Sequence, residues 1–290
     1  MIKMFRKIHS EELYNKVMER LAVKPLNIAM TAGEFGIPRT TVSAWYHGRK
    51  PFFKILNRTF IKDGYTIRKT FKKTISDSAK QLTHEKAYVL GVICGDGYVN
   101  YKNHYISLET ITPKFIQKFQ ECVVRVYGQD FIGHIAPTIN GKQRIVICGK
   151  EMTDDIRRYL PEQSSFKWRV PEEIFKSDYR CKIGFLQGFF DSEGSVHRKF
   201  DLDMGSVNKE ALMQIKQLLD DIGIKSSELK PKNKTNKYTL YITGEENIIK
   251  FIFKVGTNIP SWFIKMKELV NKYGISHSRS SSMVEQTAVA

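Results

Sequence analysis

The sequence predicts an α+β protein: two pseudo-symmetric α-β-β-α-β-β-α repeats preceded by a small all-α domain. Three observations predict it. Two apolar, glycine-containing segments, VLGVICGDG (89–97) and LQGFFDSEG (186–194), each end in an acid followed by glycine; Asp96 and Glu193 lie 97 residues apart, as do Gly91 and Gly188. A similar order of helical and strand patterns follows each segment. Ahead of both, GIPRTTVSAW (36–45) reads as a turn between two helices.

The chain has 290 residues, of which 41% are hydrophobic and 12% aromatic, as expected of a packed protein rather than a disordered one. Its net charge of +17 points to a polyanionic partner, with nucleic acid ahead of an acidic membrane surface. No apolar run is long enough to span a membrane, and the basic start lacks the apolar stretch of a signal peptide. The cysteines Cys94, Cys122, Cys148 and Cys181 are scattered, without a C-x-x-C pair. They argue against structural zinc and for a reducing compartment such as cytoplasm, nucleoid or organelle matrix.

The first domain, 1–55, opens with helical spacing at Leu13, Val17 and Leu21. A helix ending near Phe35 is followed by Gly36 for the tight turn and Pro38 at the start of the next helix. Val42 and Trp45 would face a small core, and Arg39, Thr40, Thr41 and Ser43 would face outward, flanked by Arg49 and Lys50. This is a helix-turn-helix pattern whose outward residues suit phosphates and base edges in a major groove. Residues 56–85 read as a basic linker with interleaved aromatics, suited to a phosphate backbone.

In the first repeat, 86–165, a helix ending at Asp96 leads to a hairpin over 98–108, a helix over 112–127, a hairpin with its tip at 138–143, and a helix over 150–160. In the second, 166–276, the same order runs through a strand pair over 195–204, a helix over 208–222, a hairpin over 227–243 and a helix over 245–255. The tail, 277–290, is Ser-rich and expected to be disordered.

The repeat makes chemistry of the acids. Small residues at Gly91, Gly95, Gly188 and Ser192 would let two helices pack almost backbone to backbone, bringing their terminal carboxylates together. Two adjacent carboxylates repel, and a divalent cation relieves the repulsion. Oxygen ligands suit Mg²⁺, with Mn²⁺ able to substitute. Such an ion can activate water and stabilise the leaving oxygen of a phosphodiester.

These motifs resemble those of the LAGLIDADG (dodecapeptide, DOD-type) homing endonucleases in their single-chain, double-motif form, over roughly residues 86–275. Gly91, Ile93, Asp96 and Gly97 keep the first motif, and Leu186, Gly188, Asp191, Glu193 and Gly194 the second. The resemblance implies saddle-shaped antiparallel sheets and Asp96 and Glu193 as catalytic metal ligands, with the carbonyls of Gly95 and Ser192 as further ligands. Cys94 stands where the motif has an inner Asp away from the metal. Family members place basic residues around the site, and Lys167 and Lys265 are the matched candidates, 98 residues apart. The sheets would contact DNA through Asn100, Lys102, His104, His197, Arg198, Lys199 and Asp201. The hairpin tips would add Lys142, Gln143, Arg144, Lys232, Lys234 and Lys237.

The resemblance thus implies a Mg²⁺-dependent, site-specific endonuclease acting on both strands of a long asymmetric DNA target and leaving short 3′ overhangs. One chain carries both motifs, so a monomer is expected. The alternatives are an intron RNA maturase and a DNA-binding transcriptional regulator with this core. Such regulators lack the acids and place the helix-turn-helix last, whereas here both acids are present and the order is reversed. An intein is not expected, since the chain opens with Met and lacks a terminal Asn followed by Cys, Ser or Thr.

Overall fold

The computed structural model describes residues 3–7, 11–23, 27–48, 59–62, 65–68, 73–162, 166–197, 201–231 and 236–273. The expected tail lies outside them. The chain divides into two units, Met1–Lys72 and Lys73–Ala290.

In the first unit, β1 (Lys3–Lys7) precedes α1 (Glu11–Ala22), α2 (Ile28–Glu34) and α3 (Arg39–Tyr46). Val17, Leu21, Ala32, Ile37, Val42 and Trp45 form the core of the three helices. The Tyr14 ring meets Trp45 edge-on at 5.3 Å. The Asn27 side chain caps α2 by accepting from the Met30 N–H at 3.0 Å. Phe35 closes α2, and Gly36 takes φ +59, a left-handed turn for which glycine is suited.

Besides the three helices, the first unit holds strands that the sequence reading did not include: β1 and, within the segment read as a basic linker, β2 (Thr59–Lys62) and β3 (Tyr65–Arg68). β2 and β3 pair antiparallel, Thr59 opposite Arg68 and Lys62 opposite Tyr65, and β3 also pairs with β1. The physical reason is legible in sequence: TFIK and YTIR, rich in β-branched and aromatic residues, flank Asp63-Gly64, a strong hairpin signal.

The second unit begins with α4 (His84–Cys94), β4 (Gly97–Asn100), β5 (Tyr105–Thr110), α5 (Pro113–Tyr127), β6 (His134–Pro137), β7 (Gln143–Cys148) and α6 (Lys150–Tyr159). A short α7 (Glu172–Lys176) leads to α8 (Tyr179–Glu193), β8 (Gly194–Val196), β9 (Leu202–Ser206), α9 (Lys209–Asp221), β10 (Lys230–Pro231), β11 (Tyr238–Ile242), α10 (Glu245–Lys254) and α11 (Pro260–Lys272). The two four-stranded sheets have orders β4-β5-β7-β6 and β8-β9-β11-β10, the same topology used twice, and all pairs are antiparallel. The architecture is mixed α+β, with α7 and α11 additional to the repeat.

One apolar cluster runs through both repeats, from Tyr88 and Leu90 on α4 to Phe185 and Phe189 on α8, and outward to both sheets. Every residue of α4 from Lys86 to Cys94 is buried, so it is a central helix rather than an amphipathic surface one. Lys86 is accommodated because its Nζ donates to Asp155 Oδ2 at 2.6 Å, and the Tyr127 hydroxyl donates to the same oxygen at 2.9 Å.

Candidate functional site

The site starts from glycine. A methyl group on Gly91 would sit 2.2 Å from the Phe185 carbonyl oxygen, and one on Gly188 would sit 2.2 Å from the Tyr88 carbonyl oxygen. Tyr88 and Phe185 are 97 residues apart, like Gly91 and Gly188, so α4 and α8 receive one another at equivalent places. Gly184, not singled out in sequence, extends the contact: a methyl there would meet the His84 carbonyl oxygen at 2.4 Å.

At the other end of this seam, a methyl on Gly95 would lie 2.3 Å from Ser192 Cβ and 3.2 Å from Glu193 Cγ. Glu193 is therefore packed beside the residue that precedes Asp96. Burial pushes both carboxyls above their ordinary range. The Asp96 charge raises Glu193 further, while Lys237 pulls both acids down and Lys142 pulls down Asp96. Two desolvated carboxylates, of which Asp96 raises Glu193, are an oxygen donor pair of the kind a hard divalent cation takes. Among the described residues no group of three or more His, Cys, Asp or Glu could hold a metal. Two carboxylates are of the number Mg²⁺ takes, since it keeps several waters and binds phosphate oxygens beside one or two carboxylates.

Asp191, two residues before Glu193, has a different task. It is buried and accepts from the Tyr88 hydroxyl at 2.8 Å, the Thr257 hydroxyl at 2.6 Å and the Asn258 side chain at 2.8 Å. It joins α4, α8 and the segment entering α11. Its counterpart 97 residues earlier is Cys94, whose thiol is buried and pushed well up by that burial. The inner acid of the motif is thus structural, and only the second repeat keeps it.

The sheets separate two faces by alternation. Val99, Ile106, Leu108, Ile145 and Ile147 are buried toward the helices. Tyr98, Asn100, Tyr105, Glu109 and Arg144 therefore share the opposite face of the first sheet. In the second sheet Val196, Leu202, Met204, Leu240 and Ile242 are buried, leaving Ser195, Asp203, Thr239 and Tyr241 on the opposite face.

The expected residues fall unevenly on this frame. On α3, Arg39 and Thr40 are exposed and Thr41 and Ser43 half-buried; Arg49 and Lys50 lie outside the described residues. Asn100 is on the outer face, but its side chain also accepts from the Asn103 N–H, shaping the turn that holds exposed Lys102. His104 does not share that face: it sits in the turn at φ 55, with its ring 3.4 Å from the Thr153 hydroxyl. Gln143 has the helix-facing parity, at the exposed end of β7. Arg144 is bound to Glu109 at 2.6 Å, and His197 to Asp203 at 2.7 Å. Asp201 contributes its carbonyl to the His197 N–H. Arg198, Lys199, Lys232 and Lys234 lie outside the described residues.

Lys265 donates to the Val196 carbonyl at 3.0 Å, and Lys167 is exposed, its own carbonyl accepting from Arg169. Lys142 and Lys237, expected at the hairpin tips as DNA contacts, are the lysines whose charge reaches the site. Sequence reasoning missed Tyr98, Tyr105, Glu109 and Asp203 on the outer faces. Their shared parity with Asn100 or Ser195 is the signal that finds them.

Parts of the chain are similar to known proteins. Residues 180–256 match the model of the LAGLIDADG-like domain, so the resemblance read from the motifs is shown in the second repeat. A 173-residue stretch is 25% identical to ribonucleoside-diphosphate reductase NrdEB subunit alpha of Bacillus subtilis (strain 168), covering 51% of this chain and 16% of that protein. The chain thus spans about a sixth of the length of that curated relative. Among solved structures, I-DmoI in complex with DNA and Mn is 19% identical with a TM-score of 0.47, covering 61% of this chain and 98% of that one. Full-length DUF199/WhiA from Thermatoga maritima is 16% identical with a TM-score of 0.46, covering 76% and 74%.

Proposed function

We propose that the chain is a site-specific double-strand DNA endonuclease whose reaction centre is Asp96 with Glu193. The observation that supports this most directly is the reciprocal glycine seam, which sets Glu193 beside the Gly95–Asp96 junction. A bound Mg²⁺ or Mn²⁺ would supply an acidified water and offset charge on the leaving oxygen. Asp96 and Glu193 would hold it, with the Gly95 and Ser192 carbonyls at the same junction. The chain's own part is to keep the two carboxylates together and to seat the duplex.

The outer faces of the two sheets, with their tyrosines, Asn100, Arg144 and His197, would follow a DNA groove over a long, asymmetric site. The repeats differ on these faces, Glu109–Arg144 in one and His197–Asp203 in the other, which favours an asymmetric target over a palindrome. The exposed residues of α3 would add a second, separately folded DNA contact. Because one chain supplies both acids, a monomer suffices.

The test is cleavage of a plasmid library of random or genomic inserts with Mg²⁺, wild type beside Asp96→Asn and Glu193→Gln. Discrete double-strand cuts by wild type alone support the reading. Tight binding without cutting would move the function to a regulator or an intron RNA maturase. Equal cutting by all three would place the reaction centre elsewhere.

A further inference from the structure

The net charge of the first unit does not belong to its helices. Residues 11–48, which hold α1, α2 and α3, carry four Lys+Arg and four Asp+Glu, and α3 itself brings one cation, Arg39. Residues 1–10 and 49–72 carry eleven Lys+Arg against the single acid Asp63, which is +10 of the chain's +17. These two stretches, distant in sequence, supply β1, β2 and β3. The strands alone hold Lys3, Arg6, Lys7, Lys62 and Arg68, and no acid.

Register sorts those cations. In the order β1-β3-β2, Lys3, Arg68 and Thr59 form one row, and Lys7, Tyr65 and Lys62 another. Arg68 and Tyr65 are three residues apart on β3, so the rows have opposite parity and belong to opposite faces, about 10 Å apart along the strand. The first row sets two like charges directly opposite one another, which costs stability in the free sheet. A bound polyanion offsets that repulsion. Cations on both faces also discriminate between polyanions. An anionic membrane is a plane and meets one face of a sheet. A duplex groove has a phosphate wall on each side, and the major groove is wide enough to admit a β-ribbon.

We propose that the β1-β3-β2 sheet is a DNA-backbone clamp separate from α3, with the Lys3–Arg68 row serving one phosphate wall of a groove and the Lys7–Lys62 row the other. Phosphate contacts carry no sequence information, so the clamp adds affinity and leaves the choice of sequence to other elements. It rests on the reading that the partner is duplex DNA, and not on cleavage.

The experiment measures binding of the full chain to two unrelated duplexes of equal length, against salt and without divalent metal. The variants are Lys3→Gln with Arg68→Gln, Lys7→Gln with Lys62→Gln, the charge-keeping Lys3→Arg with Arg68→Lys, and Lys16→Gln. Lys16 is a control on α1, paired with Glu12. Each double Gln variant is expected to lower the slope of log affinity against log salt by about two, equally on both duplexes, with the charge-keeping variant and the control unchanged. Arg68→Glu sets an opposite charge across from Lys3, so it should keep or raise the Tm while lowering the slope by about two, which separates lost binding from lost folding. An unchanged slope in the double Gln variants, a loss on one duplex only, or an equal loss in Lys16→Gln overturns the proposal. So does a double Gln variant that keeps its duplex binding and loses binding to phosphatidylserine vesicles. If wild type binds neither duplex, the DNA reading itself fails, and the clamp with it.

Discussion

The Tyr88 hydroxyl donates to Asp191 Oδ2 at 2.8 Å, joining the two motif helices, one from each repeat, through a buried hydrogen bond. Asp191 also receives the Asn258 N–H at 3.0 Å and the Thr257 hydroxyl at 2.6 Å. Losing Tyr88's hydroxyl removes one hydrogen bond to a carboxyl, whereas losing the carboxyl strands several buried donors. Tyr88→Phe should cost about 1–2 kcal/mol and Asp191→Ala about 3 kcal/mol or more in urea unfolding. Equal effects would contradict the clamp.

The helix seam makes a sharper demand. Gly188→Ala puts a methyl 2.2 Å from the Tyr88 carbonyl oxygen, a backbone atom that cannot swing aside. It should destabilise by about 3 kcal/mol through overpacking and separate the acids, abolishing cleavage. Gly205→Ala, whose methyl would find its nearest atom at 3.5 Å, should cost less than about 1 kcal/mol. Thermal unfolding of the two variants side by side checks the contrast.

Lys86 and Asp155 form a buried ion pair, with side chains 1% and 3% exposed. Lys86→Met should destabilise by about 3 kcal/mol, because it leaves the buried Asp155 carboxylate with only the Tyr127 hydroxyl and the exposed Arg158, 3.4 Å from its other oxygen. Adding Asp155→Asn should recover part of that loss. Burial, opposed by the Asp155 hydrogen bond and charge, pulls the Lys86 pKa below its ordinary 10.5. Between the lowered folded value and 10.5 the unfolded chain binds more protons, so this group's contribution to stability rises with pH there. A urea series at alkaline pH should show that rise in wild type relative to Lys86→Met; the opposite slope would refute it.

Arg39 opens α3 and is exposed. On the proposed role, Arg39→Ala should weaken DNA binding by about 1–3 kcal/mol and leave the cleavage rate at saturating DNA unchanged. Titration by fluorescence anisotropy with single-turnover kinetics separates the two quantities. A fall in the saturated rate without loss of affinity would count against a binding role for α3.

The sequence by itself determined the repeat. Asp96 and Glu193 at one spacing, glycine at 91 and 188, and the alternation of helix and strand periods are local properties of the chain. The same holds for Gly36 and Pro38, whose backbone preferences fix a turn without tertiary help. Tertiary structure decided what those local patterns met. The inner acid Asp191 became a clamp because Tyr88, Thr257 and Asn258 converge on it from distant segments. Lys142 and Lys237, 95 residues apart, each come just before a strand that pairs with the second strand of its own sheet, β7 with β5 and β11 with β9; differing loop lengths hide that equivalence from linear spacing, and hydrogen-bonded register restores it. The β2–β3 hairpin marks the boundary between the two: its turn signal was present in the sequence, but its third strand, β1, lies more than fifty residues upstream, and only folding brings it alongside.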